Sequence, residues 1–243
     1  MIYIGIDTGG TCTDAVVYDG DTRQVLAKNK ALTTKDDLAR GINAALDGLP
    51  DDIVKQAVRV SISTTLATNA CVEGKGGRAK LVILGTTDEV LRHIDADKLF
   101  GFSYEDTLPL DDHNTYDGRV AEDPDWDAVV EEHPAFFDDA QAFGVAEAFS
   151  MRNGGVVEEH AASYLEERFG VPVIQACSLV HGLNVMERGA TALLNARLMP
   201  LSQHFIEAVG RALLSRGITA PVMIVRSDGS LMVDELAMSR PVE

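Results

Sequence analysis

The sequence predicts an α/β fold: a mixed sheet with helices on its faces. Three observations carry that expectation. IYIGID and DAVVYD alternate apolar and polar residues on either side of a glycine turn, and RQVLAKNKAL continues the alternation after the turn signal Tyr18-Asp19-Gly20-Asp21. Past that point the strand-like stretches AVRVSIS and RAKLVILG alternate with helix-like ones, so the hairpin-linked strands pass into helix-linked strands. Finally, 243 residues at 46% hydrophobic and 24% charged describe a soluble chain long enough to bury a core.

The elements follow in order. Thr34 is expected to cap a helix over DDLARGINAALDGL, with Asp36 and Asp37 in the first turn, where the helix dipole favours acids. AVRVSIS is a fourth strand, TLATNACVEGKG a helix ending at glycine, and RAKLVILG a fifth strand with a short helix around Val90 to Ile94 behind it. From Asp95 to Asp139 the chain is rich in Asp and Pro, which suggests an excursion holding a short hairpin and a helix over Trp126 to Glu132. QAFGVAEAF, VVEEHAASYLEERFG and VPVIQACS form a β-α-β unit. Two helices are expected next, NVMERGATALLNARLM and LSQHFIEAVGRALLSRG, the second starting at Pro200, and then a last strand in APVMIVRSDG. The division into domains is 1–94, 95–180 and 181–243.

Charge narrows the function. With 38 acids against 21 bases, the net charge is −17, which excludes a nucleic-acid backbone or an anionic membrane surface as partner, since both reward clustered Lys and Arg. The N-terminus carries no basic leader, and no apolar run approaches the roughly 18 residues that span a bilayer. Cys12, Cys71 and Cys177 are an odd number without C-x-x-C spacing, read as reduced thiols of a cytoplasmic protein. The six histidines make no metal constellation, so a zinc-dependent amidohydrolase is excluded.

The chemistry concentrates in DTGGTCTD. Two glycines let backbone N–H groups approach anionic oxygens, and Thr8, Thr11 and Thr13 offer hydroxyls to the same oxygens. Asp7 at the end of the first strand would repel a phosphate unless a divalent cation lay between them, which implies Mg²⁺. The phosphate set is therefore Thr8, Gly9, Gly10, Thr11 and Thr13, with Asp7 for the metal. If Thr11 and Thr13 face the ligand, Cys12 faces away and is buried. A plain polar hairpin fits the same residues on local chemistry alone. Further candidates are Asp14, the strand-to-helix cluster Thr64, Thr65 and Asn69, Arg188 (in a row with Thr191 and Asn195), and Ser227 and Asp228 after the last strand. Helix capping, an interdomain hydrogen-bond row and a solvated turn are their plainer readings.

DTGGTCTD resembles the first phosphate loop of the actin, Hsp70 and sugar-kinase superfamily, and GIDTGGTCTDAVVYD is closest to the hydantoinase/oxoprolinase family. STTLATNACVEGKGGRAKLVILG, VMERGATALLNARLMP and VMIVRSDGSL resemble further segments of that family, in its order. Cys12, Ser63, Gly189, Asp228 and Ser230 depart from its usual residues. The resemblance implies a ribonuclease-H-like half-domain and an inserted or following α/β subdomain. It also implies ATP and Mg²⁺ as cofactors, a small cyclic amide (lactam or hydantoin) as substrate, and a second, hydantoinase B-type subunit as a candidate partner. The implied reaction is phosphorylation of the ring carbonyl followed by opening with water. By the same resemblance a second nucleotide-binding half would follow Glu243, and residues 1–243 alone would be inactive. The rival readings are another actin-like ATPase or small-molecule kinase, and a nucleotide-regulated assembly module.

Overall fold

A computed structural model describes residues 1–34, 37–111 and 123–243. The chain divides into two units, residues 1–75 with 201–241 and Glu243, and residues 76–200 with Val242.

In the first unit, β1 (Ile2–Thr8), β2 (Cys12–Asp19) and β3 (Gln24–Leu32) form an antiparallel meander. Then come α1 (Leu38–Asp47), α2 (Asp51–Val54), β4 (Ala57–Thr64) and α3 (Leu66–Glu73). β4 returns parallel to β1, as a helical crossover requires, so the sheet is mixed. Alternation decides which side is core. Ile4 and Ile6, Ala15 and Val17, and Val60 and Ile62 all point to one face, where Ile42, Ala45 and Leu46 of α1 cover them. Fully burying each valine, leucine or isoleucine among them stabilises by about 1.5–3 kcal/mol.

α1 is capped by Asp37, whose carboxylate accepts from the Arg40 N–H, and not by Thr34. Asp37 stands three residues before the Arg40 N–H, as an N-cap requires; the Thr34 hydroxyl donates to the Asp37 carbonyl instead. Asp36, expected in the first turn, lies outside the described residues.

The second unit begins at β5 (Ala79–Leu84), followed by α4 (Asp88–His93), α5 (Ala96–Phe100), β6 (Thr107–Leu110), α6 (Trp126–Glu132), α7 (Pro134–Phe137), β7 (Ala142–Glu147), α8 (Ser150–Asn153), α9 (Val156–Phe169), β8 (Val173–Gln175) and α10 (Ala176–Leu179). Its sheet runs β6-β5-β7-β8, parallel throughout, with near-continuous apolar strands buried on both faces. Part of the hairpin expected in the middle segment lies outside the described residues; its described stretch Thr107–Leu110 is a strand parallel to β5. VPVIQACS supplies only three strand residues before turning into α10.

α11 (Val185–Leu214) follows, and it is one helix. Pro200, expected to start a second helix, sits inside it and coincides with the boundary between units. Proline removes one intrahelical bond. Leu193, Ala196 and Met199 before it are buried in one core, and Phe205, Val209 and Leu213 after it in another, so packing outweighs that loss. Gly189 is explained by close approach: a Cβ there would stand 3.3 Å from Leu81 and 3.4 Å from Phe102.

β9 (Val222–Val225), β10 (Leu231–Val233) and α12 (Asp234–Ser239) complete the first unit. Its sheet order is β10-β9-β4-β1-β2-β3, with β9 parallel to β4. The fold class is thus the expected α/β, a ribonuclease-H-like mixed six-stranded sheet accompanied by a parallel four-stranded one.

Candidate phosphate-loop site

In the first unit β1, β4 and β9 are parallel, so their carboxyl ends share one edge of the sheet. Three connections leave from that edge: residues 9–11 after β1, Thr65 after β4 and residues 226–230 after β9. Loops at the carboxyl ends of parallel strands are where open α/β sheets hold ligands.

The loop after β1 is braced from behind. Thr33, just past β3, donates its N–H to the Thr11 carbonyl at 2.9 Å and its hydroxyl to the Gly9 carbonyl at 2.9 Å. Its hydroxyl proton being spent there, the 3.0 Å contact between the Thr13 and Thr33 hydroxyls has Thr13 as donor. The Gly9 N–H is used on the Cys12 carbonyl at 3.0 Å. The N–H groups of Gly10 and Thr11 have no acceptor among the described residues, and both residues are exposed. Neither loop glycine has a positive φ; at Gly10 a Cβ would lie 3.4 Å from the Asn69 amide nitrogen, at Gly9 3.3 Å from the Cys12 carbonyl. Space, not dihedral angle, favours glycine there.

Thr13 departs from expectation. It lies on the core face with Ala15 and Val17, fully buried, and its hydroxyl is committed to Thr33. Cys12 accordingly lies on the other face and is half-buried, not sealed. The pleat phase was off by one: the strand begins at Cys12, and the two apolar positions after Asp14 that face the core are Ala15 and Val17. Thr8 is also buried, and its hydroxyl has no partner among the described residues. The Thr8 carbonyl accepts from the Thr64 hydroxyl at 3.2 Å and the Thr65 N–H at 3.4 Å, which ties β1 to the start of α3. Thr64 also accepts from the Leu66 N–H, and Asn69 donates to the Thr65 hydroxyl at 3.1 Å. Thr64, Thr65 and Asn69 therefore gather beside Gly10.

Asp7 is exposed on the face opposite the core, and it pairs in register with Asp14 across the β1–β2 ladder. Asp14 in turn pairs with Lys30 of β3, whose ammonium bonds both carboxylate oxygens, at 3.1 and 2.9 Å. Hydrogen bonding to Asp14, then its charge, holds the Lys30 ammonium above the ordinary lysine range. Among the described residues no group of three or more His, Cys, Asp or Glu is placed to hold a metal. A single exposed carboxylate such as Asp7 suits a cation that keeps most of its waters, as Mg²⁺ does.

Ser227 and Asp228 are exposed in the β9–β10 turn, with Gly229 at φ +84°. Hydrogen bonding from the Ser230 side chain, and then from the Ser230 N–H at 2.8 Å, lowers the Asp228 carboxyl below the usual range. It is engaged in its own turn.

Arg188 belongs to the second unit. It is fully buried, donating to the Gly182 carbonyl at 2.7 Å, to the Glu147 and Ala148 carbonyls and to the Ser150 hydroxyl at 3.1 Å. Asn195 is buried too, whereas Thr191 is half-buried and donates its hydroxyl to the Glu187 carbonyl at 2.9 Å. Fully buried Glu158 accepts from the N–H groups of Glu147 and Cys177, at 2.9 and 2.8 Å.

Lys30 and Thr33 were not singled out from sequence. The cross-strand register contains the signal, but a bulge between Val17 and Tyr18 shifts the count from the hairpin turn by one and hides the Asp14–Lys30 pairing.

Residues 3–169 match the hydantoinase/oxoprolinase N-terminal region, and residues 188–243 match the hydantoinase/oxoprolinase model. Caprolactamase subunit alpha of Pseudomonas jessenii is 26% identical over 262 residues; these cover 98% of this chain and 37% of that protein. The chain thus spans little more than a third of that relative's length. The crystal structure of ATP-dependent caprolactamase from Pseudomonas jessenii superposes with a TM-score of 0.73 at 25% identity, over 94% of this chain and 36% of that one. Nucleotide-free acetone carboxylase gives 0.78 at 20% identity, over 98% and 38%. At that identity the second likeness speaks for the fold alone.

Proposed function

The chain belongs to the hydantoinase/oxoprolinase family, and on that premise we propose that it carries the nucleotide-phosphate side of an ATP-dependent cyclic amide hydrolase. The observation that carries the reading is the exposed pair of N–H donors at Gly10 and Thr11, unpaired among the described residues, in the loop that follows exposed Asp7 at the end of β1. Unsatisfied backbone donors at a strand end are the groups a phosphate needs.

ATP supplies the phosphoryl group that makes a lactam carbonyl open to water. Phosphoryl transfer depends on positioning and charge neutralisation more than on covalent help. In this chain the Gly10 and Thr11 N–H groups and the Thr11 hydroxyl bind and orient phosphate oxygens. Asp7 would hold Mg²⁺, whose charge would offset that of the phosphates. Thr33, itself bonded by the Thr13 hydroxyl, holds the Gly9 and Thr11 carbonyls and so fixes the loop that carries those N–H groups. Thr64, Thr65 and Asn69 support the loop from α3. The name of the curated relative, a subunit alpha, supports a hydantoinase B-type subunit as partner. Among the described residues no helix is long and apolar enough to cross a membrane.

The test is ATP turnover by the full-length protein with a panel of lactams and hydantoins. ADP and ring-opened product should appear together and require Mg²⁺. A phosphorylated hydroxyl compound as product would instead make it a kinase, and ATP-dependent self-association without turnover an assembly module.

A further inference from the structure

We propose that Lys30 is a phosphate-binding residue of this site, stored on Asp14 until a divalent cation at Asp7 releases it. The inference rests on the phosphate-loop reading above.

Asp7, Asp14 and Lys30 stand in one row across three neighbouring strands, fixed by the registers Asp7↔Asp14 and Asp14↔Lys30. Like charges directly opposite on a ladder repel. Two carboxylates and one ammonium leave the row with a net charge of −1, which opposes any phosphate nearby. A bound Mg²⁺ changes that sum to +1, and the ammonium is then no longer needed as a counter-charge. Lys30 can move, because its side chain is 61% exposed and, among the described residues, it hydrogen-bonds to Asp14 alone. Its strand is also part of the loop's frame: Thr33, three residues on, holds the Gly9 and Thr11 carbonyls. That distance is about 10 Å of extended strand, and the flexible four-carbon stem of lysine covers much of it while presenting three donors. Cation and lysine would thus bind triphosphate cooperatively. The surface pair with Asp14 is weak enough to exchange, as exposed pairs are.

Phosphorus NMR titration of the chain with inorganic triphosphate, with and without Mg²⁺, reads affinities into the millimolar range. Lys30→Met should bind triphosphate in the presence of Mg²⁺ about tenfold more weakly than wild type, the loss of one charge-assisted contact, and Lys30→Arg should recover most of it. Asp14→Asn should bind metal-free triphosphate more tightly than wild type, since it frees the ammonium. Lys30→Met binding as well as wild type, or Asp14→Asn weakening metal-free binding as Lys30→Met does, would overturn the proposal and make the pair a strand brace. Absence of binding in wild type would instead remove the phosphate-loop reading, and this inference with it.

Discussion

The two units handle polar groups at the ends of parallel strands in opposite ways. In the first, the edge where β1, β4 and β9 end keeps polar groups open: Gly10, Thr11 and Asp7 are exposed, while Thr33 holds the Gly9 and Thr11 carbonyls. In the second, the ends of β7 and β8 are closed by their own side chains. Glu158 and Arg188 are fully buried, and they spend their bonds on the carbonyls and N–H groups of the strand ends. A fold can make such an edge a ligand site or a strut. Which it is depends on whether the polar groups find partners inside the chain.

The comparison breaks most visibly at Glu158. Its replacement by Ala leaves the Glu147 and Cys177 N–H groups buried without acceptors, so urea unfolding of the variant should show a loss of about 3 kcal/mol. Phosphate binding by the first unit should not change. A well-folded Glu158→Ala with altered phosphate binding would mean that the second unit's edge is no mere strut.

Asp7→Asn is the converse. It should fold as wild type, because Asp7 is exposed, yet lower Mg²⁺-dependent ATP turnover of the full-length protein at least tenfold. Unchanged steady-state turnover would remove Asp7 from the site.

Thr33→Val sharpens the role of the brace. It removes two side-chain hydrogen bonds at the loop, for a stability cost of about 1 kcal/mol in denaturant titration. Triphosphate affinity should fall a few-fold as the donors lose their fixed direction; an affinity equal to wild type would show that the brace does not orient them.

The smallest effect concerns Cys177. Burial, followed by the nearby Glu158 charge, pushes its thiol up to about 12. In the unfolded chain it ionises near 9.0, so above that pH the unfolded state holds fewer protons and folding stability falls as pH rises from 9.0 toward 12. Mass-spectrometric alkylation at pH 9 should label exposed Cys71 well before Cys177. Equal labelling would contradict the closed edge.

Much of this was legible in the sequence, because it depends on local pattern. Alternation in IYIGID and DAVVYD set the meander, and the acid, glycines and hydroxyls of DTGGTCTD marked the loop. The rest depended on tertiary partners. Thr13 looked like a ligand group until packing placed it with Ala15 and Val17. Arg188 looked like part of an open polar row, but four internal acceptors enclose it. Pro200 looked like a helix start, yet apolar burial on both sides carries the helix through it. Lys30 was hidden because one bulged residue shifts the register by which it meets Asp14.

The most direct test of the central claim is amide NMR of the chain titrated with Mg²⁺ and ATP. The Gly10 and Thr11 N–H resonances should shift most, followed by their neighbours at Thr8, Gly9 and Asn69, while Glu147, Cys177 and Arg188 stay in place. Shifts confined to the second unit, with Gly10 and Thr11 unmoved, would contradict it.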